Sequence, residues 1–230
     1  MPWKTIGIIG GMGPWAGLEF EQTLLGLVQL KKEIEYPPIV AINDPTIPDR
    51  ATAFWDRGPS PVPAIVRIAK TLHRAGAKVL CMPCVTAHIF YPAIKTRLPR
   101  SVKFINVVDE TAASIHTRHV GLLATSATIQ SGMFQRACQS RSIAVLVPSA
   151  KTQKTCVDQA IYGKSGLKYG QVAGPRKLLE QAVHELVHDG AQTIILGCTE
   201  LSIALKDAKV PLVNTNEVLA RAVLREASIE

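Results

Sequence analysis

An internal repeat is the feature of this 230-residue chain that most constrains its fold. The matched segments are 5–10 (TIGIIG) with 119–124 (HVGLLA) and 76–84 (GAKVLCMPC) with 190–198 (GAQTIILGC). Gly7 and Gly121 stand 114 positions apart, and Cys84 and Cys198 are separated by the same 114 positions. Two independent motif pairs at one offset predict two half-chains that fold in the same way.

Each half alternates short apolar, β-branched runs with longer segments that carry apolar residues at helical spacing. The predicted strands are 5–10, 39–42, 79–82, 104–108, 120–124, 143–147, 193–196 and 212–213. The predicted helices are 14–30, 63–73, 126–139, 175–189 and 217–225. Fully apolar strands that alternate with helices are typical of mainly parallel sheets covered on both faces. The sequence therefore predicts two α/β domains with pseudo-twofold symmetry, one at 1–112 with 211–230 and one at 113–210.

Composition excludes several classes of protein. Apolar residues make up 47% of the chain and charged residues 19%, which is typical of a soluble globular protein and far from disorder. No apolar run approaches the ~20 residues of a membrane helix, and no leader-like segment opens the chain, so we expect a cytoplasmic protein without a membrane partner.

The formal net charge of +8 has more than one interpretation. Lysine and arginine are scattered along the chain and aromatic residues make up only 5% of it, so no nucleic-acid-binding module is indicated. A positive field can attract small anionic substrates, and it can equally serve solubility alone. Both of these interpretations remain open.

The cysteines predict reactive or buried thiols rather than a disulfide framework, because their number is odd and no secretory leader is evident. They are Cys81, Cys84, Cys138, Cys156 and Cys198. The C-x-x-C formed by Cys81 and Cys84 leaves a redox pair or half of a zinc site as alternatives, but no second cysteine pair follows. The segment 184–188 (HELVH) has the letters of the H-E-x-x-H zinc motif, but we interpret it as the exposed face of a helix and expect no bound metal.

The repeat places one cysteine at an equivalent position in each half. Cys84 follows the predicted strand 79–82, and Cys198 follows the predicted strand 193–196. Ligands of parallel α/β sheets bind beyond the carboxyl ends of the strands, so two such thiols can flank one ligand. A thiolate on one side can remove a proton from carbon, and a thiol on the other side can return one. We expect the residues after each cysteine to begin a helix whose N-terminus stabilises a thiolate or a carboxylate.

A glycine-rich loop follows the first predicted strand at 10–14 (GGMGP). It lacks both the G-x-G-x-x-G and the G-K-[ST] phosphate-binding patterns. Its small residues can keep the backbone close to a ligand, with amide groups directed at an anion. A tight strand-to-helix turn without a ligand explains the same composition equally well.

Five motifs together resemble the aspartate/glutamate racemase family, and the aspartate racemase branch in particular. They are 6–14 (IGIIGGMGP), 47–50 (IPDR), 82–84 (MPC) with 86–88 (TAH), 161–163 (IYG) with 167–168 (LK), and 196–200 (LGCTE). The resemblance implies two flavodoxin-like α/β domains with the active site in the cleft between them. It also implies racemisation of a small acidic amino acid without any cofactor, commonly by a homodimer.

The resemblance further implies roles for individual residues. Cys84 and Cys198 become the paired acid and base, and Arg50 and Lys168, which the sequence places in loops, bind substrate carboxylates. The full set of substrate-binding candidates is Met12, Arg50, Val85, Thr86, Ala87, Lys168, Thr199 and Glu200. Thr86, Ala87 and Thr199 would supply backbone or hydroxyl donors. Val85 departs from the family pattern, which has asparagine after the first cysteine.

The predicted function is the interconversion of L- and D-aspartate by two-base proton transfer. A glutamate or broad-specificity racemase and a non-catalytic binder of acidic metabolites remain as alternatives. A decarboxylase or a cis–trans isomerase of the same superfamily is disfavoured, because such enzymes can lack one cysteine of the pair and this chain keeps both. A thiol redox protein is disfavoured because Cys81-Met82-Pro83-Cys84 does not match the usual C-G-P-C turn.

Overall fold

The computed structural model describes residues 3–28, 32–205 and 208–229, which form alternating strands and helices. The strands are β1 Ile6–Gly10, β2 Ile39–Asn43, β3 Val79–Cys81, β4 Lys103–Phe104, β5 His119–Ala124, β6 Ala144–Leu146, β7 Thr193–Gly197 and β8 Leu212–Asn214. The first helices are α1 Pro14–Gly26, α2 Arg50–Phe54, α3 Val62–Arg74, α4 Tyr91–Lys95, α5 Val107–Ala113, α6 Ser126–Gln130 and α7 Met133–Gln139. The later helices are α8 Ala150–Thr152, α9 Gln159–Tyr162, α10 Ala173–His188, α11 Leu201–Leu205 and α12 Thr215–Ala227.

Shorter helical segments complete the backbone. Single 3₁₀ turns occur at Glu33–Glu35, Thr86–Phe90 and Leu167–Tyr169, and a π-helical segment at Gln153–Asp158 joins α8 to α9. The chain divides into two compact units, unit 1 at 1–110 with 216–230 and unit 2 at 111–215. None of the helices within the described ranges has the length and hydropathy needed to cross a bilayer.

Unit 1 contains a four-stranded sheet in the order β2-β1-β3-β4, and all of its strand pairs are parallel. Every residue of β1 is buried, as its continuous apolar sequence predicts. Helix α3 buries Ile65, Ile68, Ala69 and Leu72 in the core of this unit. Full burial of such an aliphatic side chain contributes about 1.5–3 kcal/mol.

Unit 2 repeats this arrangement with a parallel sheet in the order β6-β5-β7-β8. The register of the central pair is also repeated, since Ile6 pairs with Val79 and Val120 pairs with Thr193. These pairs stand at the offset that the sequence repeat defines. The predicted fold class, two α/β domains with parallel sheets flanked by helices, is confirmed.

The glycines of the repeat have the same packing role in both units. A Cβ atom at Gly7 would lie 2.4 Å from Leu80 Cδ2, and one at Gly121 would lie 2.6 Å from Ile194 Cδ1. Leu72 and Leu186 crowd these glycines in the same way. The repeated glycine therefore lets a helix approach the central strand, which explains why it stands at the same place in each half.

Two predicted elements were wrong in part. The predicted strand 104–108 ends at Phe104, because the side chain of Asn106 accepts a hydrogen bond from the Val108 backbone N–H (3.1 Å) and begins α5. The single helix predicted at 126–139 is divided into α6 and α7 by Gly132, whose φ is 67°. Glycine adopts this left-handed conformation without a steric penalty.

Some bounds of the other predicted helices also differ from the structure. Helix α1 ends at Gly26, and the last residues of the helix predicted at 14–30 lie partly outside the described residues. Helix α12 begins at Thr215, two residues before its predicted start. Helices α2, α8 and α9 were not predicted, because segments of three to five residues are too short for apolar periodicity to be read.

Candidate active site

Cys84 lies three residues beyond the end of β3, in a turn where its backbone N–H donates to the Met82 carbonyl (2.8 Å). The matching strand in unit 2 runs further along the repeat, to Gly197. Pro83 stands at the position that corresponds to Gly197 and has no N–H to give to a sheet, which accounts for the earlier end of β3. The side chain of Cys84 is buried, with 6% of the residue exposed.

His88 is buried against the backbone of Cys84. Its Nδ1 donates to the Cys84 carbonyl (2.9 Å), and its ring stacks on Tyr91. Burial lowers the pKa of His88 to about 4, although the Cys84 carbonyl and the Asp109 carboxylate act in the opposite direction. The imidazole is therefore neutral at physiological pH and fixes the turn that carries Cys84. No role for His88 follows from the sequence alone, although its position four residues after Cys84 is a signal for this contact.

The low pKa of His88 predicts that unit 1 loses stability in acid. The folded state binds the proton less readily than the unfolded chain, so the stabilisation is complete above about pH 6.5 and decreases as pH falls towards about 4. In His88→Asn the amide keeps a donor for the Cys84 carbonyl but cannot titrate. We expect the difference in unfolding free energy, wild type minus variant, to fall by about 2–3 kcal/mol between about pH 7.5 and about pH 4.5.

Urea unfolding monitored by tryptophan fluorescence measures this difference for unit 1, because Trp3, Trp15 and Trp55 all belong to that unit. Other carboxylates titrate in the same pH range in both proteins and cancel in the comparison. A difference in free energy that stays constant with pH would contradict the neutral, buried state of His88.

The residues between Cys84 and His88 are Val85, Thr86 and Ala87, and all three are buried. The carbonyl of Val85 accepts the His88 N–H (2.9 Å), so this segment is a 3₁₀ turn rather than the α-helix that we expected. The helix after Cys198, α11, has only five residues and starts at Leu201. The expected stabilisation by a helix dipole is accordingly smaller than the sequence suggested.

Arg50 and Met12 are brought together in unit 1. Arg50 is the first residue of α2, so the prediction that it lies in a loop was wrong. The side chain of Asp49 caps this helix by accepting a hydrogen bond from the Thr52 N–H (2.7 Å). The buried guanidinium donates to the carbonyls of Met12 (3.2 Å) and Pro48 (3.3 Å). These neutral acceptors fix the orientation of the guanidinium but do not neutralise its charge.

Cys198 follows β7 directly and is also 6% exposed. Its Sγ donates to Oε2 of Glu200 (3.0 Å), and the hydroxyl of Thr199 donates to the same oxygen (2.9 Å). All three residues are buried in unit 2. The structure therefore gathers Cys198, Thr199 and Glu200 into one hydrogen-bonded cluster.

Lys168 lies in the 3₁₀ turn Leu167–Tyr169, within the connection between α9 and α10. Its Nζ stands 4.9 Å from the centre of the Tyr162 ring, which is a cation–π geometry. Lys168 is partly buried. The contact described for this lysine is thus with Tyr162 and not with the Cys198 cluster.

The remaining cysteines have structural surroundings. Cys81 is fully buried, its Sγ donates to the Gly7 carbonyl (3.6 Å), and burial raises its pKa well above the usual range. A thiolate at Cys81 is therefore disfavoured, which argues against the redox pair with Cys84. Burial also raises the pKa of Cys138, and Cys156 donates to Gln181. Within the described part of the chain, no group of three His, Cys, Asp or Glu side chains could hold a metal ion.

The family model described as Asp/Glu/Hydantoin racemase matches residues 9–223, nearly the whole chain. The chain belongs to this family. Membership places the protein among the racemases, which are isomerases, and confirms the resemblance inferred from the five motifs.

Individual members of this racemase family are similar over different lengths. The broad specificity amino-acid racemase RacX of Bacillus subtilis (strain 168) is 26% identical over 227 residues, which cover 94% of this chain and 95% of that protein. The solved structure of an aspartate racemase from Picrophilus torridus is 27% identical with a TM-score of 0.85, and the match covers 99% of this chain and 96% of that chain. A glutamate racemase of Pseudomonas putida is 28% identical over 170 residues, which cover 69% of this chain and 61% of that protein.

Proposed function

We propose that this racemase interconverts L- and D-aspartate without a cofactor and that Cys84 and Cys198 are its acid and base. The observation that supports this most directly is the equivalence of the two thiols. They stand 114 positions apart, follow corresponding strands of two sheets with the same strand order, and are buried to the same extent. A reaction that moves a proton from one face of a carbon to the other can use such a pair as base and acid. The proposal includes a homodimer, as the family resemblance implies, and the cytoplasmic location that the sequence leads us to expect.

In the proposed reaction the two thiols approach the substrate α-carbon from opposite faces. The thiolate of one cysteine removes the α-proton, and the thiol of the other donates its proton to the opposite face. The reaction leaves the first cysteine as a thiol and the second as a thiolate, so atoms and charge balance. Negative charge that develops on the α-carboxylate needs nearby donors, which are the largest source of stabilisation in such reactions.

Arg50 is the best candidate for binding a substrate carboxylate. Its guanidinium is buried and already oriented by the carbonyls of Met12 and Pro48, so little side-chain entropy is lost when an anion binds. We propose Lys168 as a second cationic group, and Thr86, Ala87 and Thr199 as donors.

Aspartate is proposed over other amino acids because the Picrophilus torridus relative, named an aspartate racemase, is similar over nearly its whole length. A glutamate or broad-specificity racemase is the second candidate. The similarity to RacX, which also extends over nearly the whole chain, favours broad specificity. Val85 points in the same direction, because its buried apolar side chain cannot hydrogen-bond a substrate as asparagine would.

Exchange of α-protons in deuterated water tests the proposed function. We expect purified protein, with no cofactor added, to replace the α-proton of L- and D-aspartate with deuterium at least about tenfold faster than that of other free amino acids. Proton NMR measures the exchange, and chiral chromatography measures the accompanying inversion. Similar exchange across many amino acids would favour the broad-specificity alternative, and binding of aspartate without any exchange would favour a non-catalytic binder.

A further inference from the structure

The two halves of the repeat differ two residues after the paired cysteines, Cys84 and Cys198. In unit 2 this position is Glu200, whose carboxylate accepts hydrogen bonds from Cys198 Sγ (3.0 Å) and from the Thr199 hydroxyl (2.9 Å). In unit 1 the corresponding position is Thr86, which carries no charge. The two thiols therefore have different electrostatic surroundings.

We propose that Glu200 keeps Cys198 in its thiol form, so that Cys84 is the cysteine that begins the reaction as the thiolate. This inference rests on the proposed two-cysteine reaction and assigns its starting state. A carboxylate that accepts an S–H hydrogen bond stabilises the thiol. Loss of that proton would place two negative charges at hydrogen-bond distance in a buried site, where little water is present to screen them. Glu200 is thus a positioning residue that acts through Cys198.

The other carboxylates of unit 2 that form described hydrogen bonds or ion pairs have partners of their own. In unit 2 the carboxylate of Asp158 accepts from Ser126 and Gln153, and that of Glu185 accepts from Ser149 and Thr152. Glu180 pairs with Arg176, and the Cys156 thiol donates to Gln181.

In unit 1 the imidazole that contacts the Cys84 backbone, His88, is neutral because its pKa is lowered to about 4. The inference accordingly depends on the contact between the Cys198 thiol and the Glu200 carboxylate.

The assignment also modifies the predicted role of Glu200 as a substrate-binding residue. The Glu200 carboxylate would repel the carboxylates of an acidic substrate. In addition, its Oε2 atom already accepts hydrogen bonds from the Cys198 thiol and the Thr199 hydroxyl. After one turnover Cys84 is a thiol and Cys198 is a thiolate beside Glu200. Transfer of a proton from Cys84 to Cys198, through solvent, restores the starting state, and the charge of Glu200 favours this direction.

Alkylation of each cysteine as a function of pH tests the inference. Only thiolates react with iodoacetamide, so peptide mass spectrometry of the treated full-length protein gives a midpoint pH and a high-pH limiting rate for each residue. In the wild type we expect the midpoint of Cys84 to lie below that of Cys198. In Glu200→Gln we expect alkylation of Cys198 near neutral pH to become about tenfold faster, because its midpoint falls by about one pH unit, while Cys84 is unchanged.

Two comparisons separate charge from accessibility. A loosened structure would raise the limiting rate of Cys198 at high pH, whereas the loss of the Glu200 charge moves only the midpoint. Thr199→Val removes the other hydrogen bond to Oε2 but keeps the charge, so we expect the Cys198 midpoint not to fall in this variant. The order of the two midpoints in the wild type needs no variant and remains decisive if Glu200→Gln fails to fold.

Equal midpoints in the wild type, or a Cys198 midpoint that is unmoved in a folded Glu200→Gln protein, would overturn the inference. Alkylation does not depend on turnover, so the proposed function is tested separately. If the midpoints behave as expected but no amino acid exchanges its α-proton, the charge assignment is supported and the racemase proposal fails.

Discussion

Replacement of either Cys84 or Cys198 by alanine is expected to lower the rate of aspartate racemisation by about a thousandfold or more. Each substitution removes one of the two groups that move the α-proton, and a positioned acid or base contributes about 10²–10⁴ in rate. Both side chains are small and nearly buried, so truncation to alanine leaves little empty space. Chiral chromatography of the product, at saturating L- or D-aspartate, measures the loss.

The two variants should fail in complementary ways. Each retains one cysteine, which can still remove the α-proton of the enantiomer that presents its hydrogen to that side. In deuterated water we therefore expect exchange without inversion, with Cys84→Ala active on one enantiomer of aspartate and Cys198→Ala active on the other. Proton NMR of each pure enantiomer distinguishes this pattern from a general loss of activity.

Matched controls exist in both units. Cys81→Ala changes a fully buried thiol three residues from Cys84, and Cys138→Ala changes a fully buried thiol of unit 2. Neither residue has a role in the proposed reaction, so we expect both variants to racemise aspartate within about a few-fold of the wild type. Racemisation at near wild-type rates by both Cys84→Ala and Cys198→Ala would exclude the two-cysteine mechanism.

The sequence predicts the fold well because the same physical constraints occur twice. Gly7 and Gly121 are both crowded by a leucine of the packed helix, and Gly76 and Gly190 both have a φ near 100° at the end of a long helix. Both the close helix contact and the positive φ require glycine, so both can be recognised in the sequence. Apolar runs then locate the central strands, which either contain one of these glycines, as β1 and β5 do, or follow one, as β7 does.

The details of the site were less predictable, because they depend on the direction of individual side chains. The motif that contains His88 was recognised, but its hydrogen bond to the Cys84 carbonyl follows from a 3₁₀ turn that no periodicity indicates. Glu200 was expected to contact substrate, and only the structure reveals its hydrogen bonds with Cys198 and Thr199. Asn106 begins α5 through a side-chain hydrogen bond, and an apolar pattern carries no information about such a bond.

The glycine-rich loop left two interpretations open, and the surroundings of Gly11 now give a reason for its composition. Its φ is 100°, a conformation that residues with a side chain rarely adopt. A Cβ atom here would lie 2.1 Å from the Asp44 carbonyl oxygen and 2.3 Å from its carbon. These are backbone atoms next to the end of β2, so they cannot move aside as a side chain could.

Gly11→Ala is therefore expected to be one of the most destabilising single substitutions in unit 1, and Gly76→Ala provides a matched control. Gly76 has nearly the same φ, 101°, but nothing lies within 4 Å of the position of its Cβ. We expect Gly76→Ala to cost about 1–2 kcal/mol, which is the penalty of the left-handed conformation alone. Gly11→Ala should cost about 1–3 kcal/mol more, because the adjacent backbone must also move.

Urea unfolding followed by tryptophan fluorescence measures both losses, since all three tryptophans belong to unit 1. Displacement of the loop should also affect Arg50, whose guanidinium donates to the carbonyl of Met12, the residue after Gly11. At a temperature where Gly11→Ala remains folded, we accordingly expect the KM for aspartate to rise in this variant and to stay near the wild-type value in Gly76→Ala. Equal destabilisation by the two substitutions would show that the close approach of Asp44 adds nothing to the conformational penalty at Gly11.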